Sequence, residues 1–513
     1  MPEPPQNPSR LRFDKGDWST ANLALIAFLA VFAFLVMGYH PGLEDDAFYL
    51  AAIKRNLNPA LFPYDSNFFT VQFQATIFDK LIARSVRLTH LPLAWVAILW
   101  QFAAIFFVLH GCWRIGRRCF SDSSAQWCSV ALIAALLTLP VSGTGLNLAD
   151  QYLHPRILAT VAILAAIVSI LDRRLWCAGI LLAIAVSIHV IMASLGISLC
   201  AFLLWNPRTR CPRSETLPPV AAIAFPLGWI FEPGSAAWRQ AASTRNFYYL
   251  SRWEWYEWLG LVGPIVLLYV LFRFLRKREQ AETGTLIRLV SRLIFYASFQ
   301  TVVGLVIMFP SKFERLRPLE PMRYLHLLYV FFFLIVGGLI GQYVLRRHVY
   351  RWVLLFLPLS AGMFYAQRQM YPATEHLELP GAATQNRWLQ AFAWMRQNTP
   401  VDAEFALDPH YTELPGEDFH GFRALAERSV LADYVKDGGM AARVPQLAPQ
   451  WLKEVAAQTG WRDFQAADFE RLKRDFGVGW VILSKEDAAF SSGQTTPRIC
   501  PYANEAVKVC RLD

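Results

Sequence analysis

Charge is scarce in this sequence. Asp, Glu, Lys and Arg together make up 17% of its 513 residues, against about 25% in soluble globular proteins. Set beside a hydrophobic share of 55%, that shortage excludes a disordered chain and argues against a purely soluble enzyme. Familiar signatures are missing too. There is no Walker loop, no Gly-rich dinucleotide fingerprint, no His-Glu-x-x-His and no Gly-x-Ser-x-Gly elbow. Nothing therefore supports ATP-driven work or serine hydrolysis. The eight cysteines include no Cys-x-x-Cys and no metal-type spacing. Acids at mid-span, which would favour a proton-coupled transporter, are absent, and no internal repeat points to a repeat-built transporter.

What is present is apolar sequence in long runs, with 37 Phe, 18 Trp and 18 Tyr, residue types that favour membrane–water interfaces. The net charge of +10 sits in short clusters between those runs: Arg114/Arg117/Arg118, Arg173/Arg174, Arg208/Arg210/Arg213, Arg273/Arg276/Lys277/Arg278 and Arg346/Arg347/Arg351. That is the pattern of cytoplasmic loops under the positive-inside bias, not of a nucleic-acid face. Arg10, Arg12 and Lys15 add an inside signal at the N-terminus. Residues 20–38 are too long for a cleaved signal peptide and read as the first span.

Further runs lie near 91–111, 124–145, 156–171, 259–275, 289–309, 323–345 and 352–366. The stretch 175–205 is too long for one crossing, and two short helices turning near His189 keep both flanking arginine clusters inside. Residues 216–231, with Pro218, Pro219 and Pro226, make one more short span. The expectation is a mainly α polytopic membrane bundle of about eleven spans, N-terminus inside. It divides into a membrane domain, 1–366, with a long outer loop at 39–90, and a small α/β domain, 367–513, outside. In that tail Asn386–Gln397 and Ala466–Phe476 have helical spacing, and Glu404–Leu407, Ser429–Ala432 and Trp480–Ser484 resemble strands. Asp437-Gly438-Gly439 reads as a turn. Cys500 and Cys510 flank a hairpin, and an oxidising outer compartment would let them pair; the alternative is two free buried thiols.

Five groups of residues could carry chemistry. Glu44-Asp45-Asp46 opens a helix just after the first span; it could supply a general base or oxygen ligands for a divalent cation, or merely cap the helix. Asp150-Gln151-Tyr152-Leu153-His154-Pro155-Arg156 could present the Arg156 fork to a phosphate, with His154 donating or shuttling a proton; interfacial anchoring is the plainer reading. His189 is intramembrane in character, and so is either functional or a satisfied core histidine. Ser251–Trp258 is first an interface belt, with Arg252, Glu254 and Glu257 as possible polar contacts to an acceptor. Arg323 and His326 share one helix face at the outer end of a span, where an anionic ligand or anionic lipid would explain the positive charge.

A long first outer loop that begins with acidic residues, continues as Asn58-Pro59-Ala60-Leu61-Phe62-Pro63-Tyr64-Asp65, and is followed by many spans, short broken helices and an outer C-terminal domain resembles the GT-C superfamily of membrane glycosyltransferases. The likeness is to its bacterial members. It implies sugar transfer from a polyprenyl-phosphate carrier in a bacterial inner membrane. One of Glu44, Asp45 and Asp46 would act as base, or Asp45 and Asp46 as ligands of Mg or Mn; His154, Arg156, His189, Arg252, Arg323 and His326 would bind substrate. The competing expectation is a transporter or scaffold for envelope polysaccharide without catalysis. The sequence says nothing of oligomeric state.

Overall fold

The computed structural model describes residues 15–205, 231–278, 284–414, 418, 420–491 and 498–512. The run at 216–231 lies, except for its last residue, outside them. Helix α1 (Thr20–Met37) starts on a Ser19 cap and ends at Gly38, whose φ of 82° only glycine adopts freely. The first outer loop is itself helical: α2 (Asp46–Leu57), α3 (Asn67–Phe73) and α4 (Phe78–Thr89). Then follow α5 (Leu93–Cys119), α6 (Ser123–Ala135), α7 (Pro155–Leu171), α8 (Leu175–Ile188), α9 (Val190–Leu204), α10 (Ala236–Ser243), α11 (Trp255–Lys277), α12 (Gly284–Met308), α13 (Tyr324–Ile340) and α14 (Val349–Met370).

Among the described residues six helices are long and apolar enough to cross a membrane: α1, α5, α11, α12, α14, and α13 extended at both ends to Pro321–Leu345. The apolar helices α7, α8 and α9 are shorter, at 17, 14 and 15 residues. The count of about eleven is thus not reached. The run at 124–145 shows why: α6 stops at Ala135, and Pro140–Val141 (β1) pairs antiparallel with Leu146–Asn147 (β2). Gly143 and Gly145, both at φ 64°, turn that hairpin. Gly143 also carries the Trp253 indole where a Cβ would stand. Residues 175–205 do split at His189, whose Nδ1 accepts the Met192 N–H at 3.3 Å.

At the arginine-rich end, Asp17 accepts from Arg114, Arg117 and Arg118 at 2.9, 2.6 and 3.0 Å, and Arg118 also reaches Asp172. Several cations on one buried carboxylate tie the N-terminal segment to α5.

The tail packs on the other end. It contains α15 (Arg387–Asn398), α16 (Phe422–Ala426), α17 (Lys436–Arg443), α18 (Ala448–Ala457) and α19 (Ala466–Phe476), around a sheet of β3 (Glu404–Ala406), β4 (Ser429–Val430), β5 (Trp480–Ser484), β6 (Arg498–Ala503) and β7 (Val507–Leu512). The order is β4-β3-β5-β7-β6, parallel across the first three and antiparallel beyond. Cys500 and Cys510 are joined as a disulfide, Cα atoms 3.9 Å apart, across the β6–β7 hairpin. Asp437-Gly438-Gly439 is not a turn. It lies inside α17, because Gly439 admits the Arg245 guanidinium against the helix where a side chain would block it.

Loop and tail are bonded together. Gly421 N–H donates to Gly42 at 2.8 Å, Tyr39 N–H to His376 at 3.0 Å and Glu378 N–H to Tyr39 at 2.9 Å. Lys54 pairs with Glu427 at 2.7 Å, Glu378 lies between His40 and His420, and Arg423 joins Asp65 of the loop to Asp437 of α17.

Candidate functional site

The three carboxylates after α1 point three ways. Glu44, held at φ 48°, pairs outward with Lys436 of α17. Asp46 turns inward and accepts the Gly42 N–H at 2.7 Å. Burial pushes its carboxyl up to about 7, with Asp150 adding to the rise and the Gly42 N–H opposing it. Asp45 precedes α2 but makes no capping hydrogen bond, so the cap reading fails for its side chain. It faces His154 instead.

The local geometry sets the state of that histidine. His154 is 1% exposed, and its Nδ1 accepts the Arg156 N–H at 2.9 Å. Nδ1 therefore has no proton, and Nε2 carries one. Nε2 stands 3.9 Å from Asp45 Oδ2, with no hydrogen-bond partner among the described residues. Tyr49 meets the ring edge-on at 4.7 Å, and His189 stacks on it at 6.2 Å. Burial alone would raise the Asp45 carboxyl. The nearby His154 ring and the charges of Lys436, Arg245 and Arg443 outweigh it and hold Asp45 well below the usual carboxylate range. Asp45 is a fixed anion.

Arg156 follows Pro155 in the first turn of α7 and is 3% exposed. Its Nη2 lies 2.5 Å from both Asp150 oxygens, while Nη1 is buried with no partner among the described residues. Arg323, at the head of α13, pairs with Glu320, which also accepts from Arg443 of α17 at 2.8 Å and Tyr248 at 3.4 Å. Glu320 is 4% exposed and sits at φ 51°. A buried carboxylate in left-handed backbone, shared by arginines of the membrane bundle and the tail, is strain concentrated where the two parts meet.

Arg323 and Arg443 line a cavity of about 290 Å³ together with His189, Tyr49 and Thr76; the rest of its lining is apolar, including Val71, Ile188, Val190 and Ile191. Asp45, Arg156 and Arg443 all lie within electrostatic reach of Arg323. The lining thus offers guanidinium groups to an anion and aliphatic side chains to a hydrocarbon.

The structure thus brings together Asp45, His154, Arg156, His189 and Arg323. Glu44 is turned to Lys436 and Asp46 to the Gly42 N–H instead. His326 is used elsewhere: its Nε2 donates to the Leu148 carbonyl at 2.9 Å. Arg252 is exposed, donates to Ser243 and Asn246 at 2.7 and 2.9 Å, and lies over Tyr249. It is not part of the cavity. Among the described residues no group of three or more His, Cys, Asp or Glu is placed to hold a metal ion. Asp45 faces His154, and Asp46 the Gly42 N–H.

Arg443, Lys436, Glu320 and Tyr49 were not singled out from the sequence. Arg443 and Lys436 arrive from a domain far along the chain. The glycine pair inside α17 was the one local sign of a close approach.

Residues 386–453 match a family model described as a domain of unknown function, DUF6798. No curated protein matches the chain. The chain is similar to the crystal structure of the Archaeoglobus fulgidus oligosaccharyltransferase in the apo form, with 12% identity, 92% of this chain and 70% of that chain covered, and a TM-score of 0.46. It is also similar to the archaeal oligosaccharyltransferase AglB from the same organism in complex with an inhibitory peptide and a dolichol-phosphate. There the identity is 11%, the coverage again 92% and 70%, and the TM-score 0.43.

Proposed function

We propose that this chain is a GT-C-type membrane glycosyltransferase that moves a sugar from a polyprenyl-phosphate carrier to an acceptor hydroxyl on the outer side of a bacterial inner membrane. The observation that carries the reading is one cavity lined by both arginines and aliphatic side chains, near the Asp45–His154 pair. A lipid phosphate has that division of character.

The chemistry follows from the charges. The acceptor oxygen bonds to the anomeric carbon, the bond from that carbon to the phosphate oxygen breaks, and its electron pair leaves with the polyprenyl phosphate. Arg323 and Arg443 neutralise the charge that develops on the leaving group, a stabilisation already oriented before the reaction. The acceptor proton goes to Asp45. In the empty site Asp45 is a weak base, because Lys436, Arg245 and Arg443 hold it ionised. A donor phosphate would offset those cations, so the basicity of Asp45 rises when the donor is bound. His154 presents Nε2–H towards the carboxylate from 3.9 Å.

The positive-inside pattern places the Asp17–arginine end in the cytoplasm. The tail, with its Cys500–Cys510 disulfide, then faces an oxidising compartment.

The test is transfer in proteoliposomes from a synthetic polyprenyl-phosphate sugar. Asp45→Asn removes charge at nearly constant volume, and turnover should fall at least about a hundredfold with the protein still folded. Asp45→Asn with wild-type turnover would refute the assignment.

A further inference from the structure

A second cavity lies at the opposite end of α13 from Arg323, about 30 Å away at the helical rise. Gly341 opens a single π-helical turn (Gly341–Leu345) that continues α13. It has no side chain to hold α6 away: a Cβ there would stand 2.4 Å from the Ser124 carbonyl oxygen. That close approach sets the head of α6 beside the turn at 346–348, which joins α13 to α14. Between them is a space of about 300 Å³ lined by Ser123, Ser124, Trp127, Arg346, Arg347 and Trp352. Its walls are fixed. Trp127 packs on Trp113 at 5.6 Å, and Trp352 donates from Nε1 to the Arg346 carbonyl at 3.1 Å. That bond helps to hold Arg346 at φ 49° and ψ −134°, a conformation that suits glycine better.

The arginines of this cluster differ in use. Arg351 donates from Nη1 to the Val344 carbonyl at 2.5 Å and so closes the end of α13. Arg346 and Arg347 are exposed, and their guanidinium groups make no hydrogen bond or ion pair among the described residues. Among those residues no carboxylate lines the space; Asp122, next to Ser123, is turned to the Ala125 N–H at 3.1 Å. Helices α6 and α14 both begin here, and their dipoles add positive potential. A cation is repelled. An anion with oxygen acceptors for guanidinium and hydroxyl groups is favoured.

The surroundings select the kind of anion. Extended to Leu345, α13 is long and apolar enough to cross a membrane, and so is α14; the turn between them therefore lies at the bilayer surface, where the two tryptophans also belong. Val349, which lines the space, and Val353, one turn along α14, are 75% and 51% exposed. A phosphate at the arginines would thus lay attached hydrocarbon on an aliphatic face. We propose that this cavity holds the phosphate headgroup of an anionic phospholipid, with its acyl chains along α14. The choline cation of a zwitterionic lipid would meet the arginines. Binding here is independent of the sugar transfer proposed above.

The test is native mass spectrometry of the full chain, released from detergent micelles after titration with phosphatidylglycerol or phosphatidylcholine. One phosphatidylglycerol should be retained in preference to phosphatidylcholine. Arg346→Gln/Arg347→Gln should weaken it about tenfold or more, with the lipid-free melting temperature unchanged. The charge-matched Arg273→Gln/Arg276→Gln alters exposed residues of α11 at the same end of the bundle, where Arg278 lies over Tyr343, and should bind as wild type does. Glycerol phosphate, a soluble source of the same group, should not displace the lipid. Equal retention of the two lipids, displacement by glycerol phosphate, or equal weakening in both double variants would overturn the proposal.

Discussion

Arg423 is the residue whose loss should loosen the whole assembly. It is 5% exposed. Its Nε binds Asp65 of the outer loop, Nη1 reaches both Asp437 oxygens at 2.8 and 2.9 Å, and Nη2 donates to the Val430 carbonyl at 3.1 Å. Arg423→Met keeps much of the volume but leaves two buried carboxylates facing each other. Removing one partner of a buried ion pair costs about 3–5 kcal/mol. At roughly 2–4 °C per kcal/mol for a unit of this size, thermal unfolding in detergent should drop by about 6–20 °C.

The pH dependence is distinctive. Burial pushes the Asp437 carboxyl up, with Arg423 opposing it and Asp433 adding to it. Without Arg423 it rises further and protonates, so the loss should be smaller at pH 6 than at pH 9. Arg423→Met/Asp437→Asn should recover part of the stability. Because Asp437 sits in the first turn of α17, the single variant should also weaken donor use through Lys436 and Arg443. A drop below about 1 kcal/mol, or one independent of pH, would show that the seam does not rest on this arginine.

Other expectations are separable by simple measurements. Burial pushes Glu404 on β3 up to about 9, with Asp65 and Glu454 adding to the rise. The folded state then holds a proton that the unfolded chain has released, so stability falls as pH rises from about 4.5 to about 9, by at most ~1.4 kcal/mol per pH unit for this group. Melting at pH 6 and 8.5 should show that slope, and Glu404→Gln should flatten it. In the membrane bundle, a Cβ on Gly341 would stand 2.4 Å from the Ser124 carbonyl oxygen, whereas Gly263 has nothing within 4 Å. Gly341→Ala should cost about 1–3 kcal/mol and Gly263→Ala no more than about 0.5; equal melts would contradict that packing.

The sequence made some features legible because they depend on local periodicity. The helix predicted at Ala466–Phe476 has those bounds, and the strands expected near 404, 429 and 480 are present in β3, β4 and β5. The break at His189 was legible from length and charge alternation. Asp45, His154, Arg156, His189 and Arg323 were singled out by their positions at span edges. What could not be read is what depends on folding at a distance. The divergence of Glu44, Asp45 and Asp46 is set by Lys436, His154 and Gly42, none of which is an immediate neighbour in sequence. Glu320 gains meaning only when Arg443 arrives from the tail. Arg252 was a candidate contact for an acceptor, yet it turns onto its own loop.

The most direct measurement of the central claim is equilibrium binding of a polyprenyl phosphate to the chain in nanodiscs, comparing wild type with Arg323→Ala/Arg443→Ala. Each arginine contributes a charge-assisted contact of about 1.5–3 kcal/mol, so the double variant should bind at least about a hundredfold more weakly. A neutral polyprenol should bind the two forms alike. Equal affinity of wild type and double variant for the phosphate would contradict the account, because the cavity would then have no claim to the carrier.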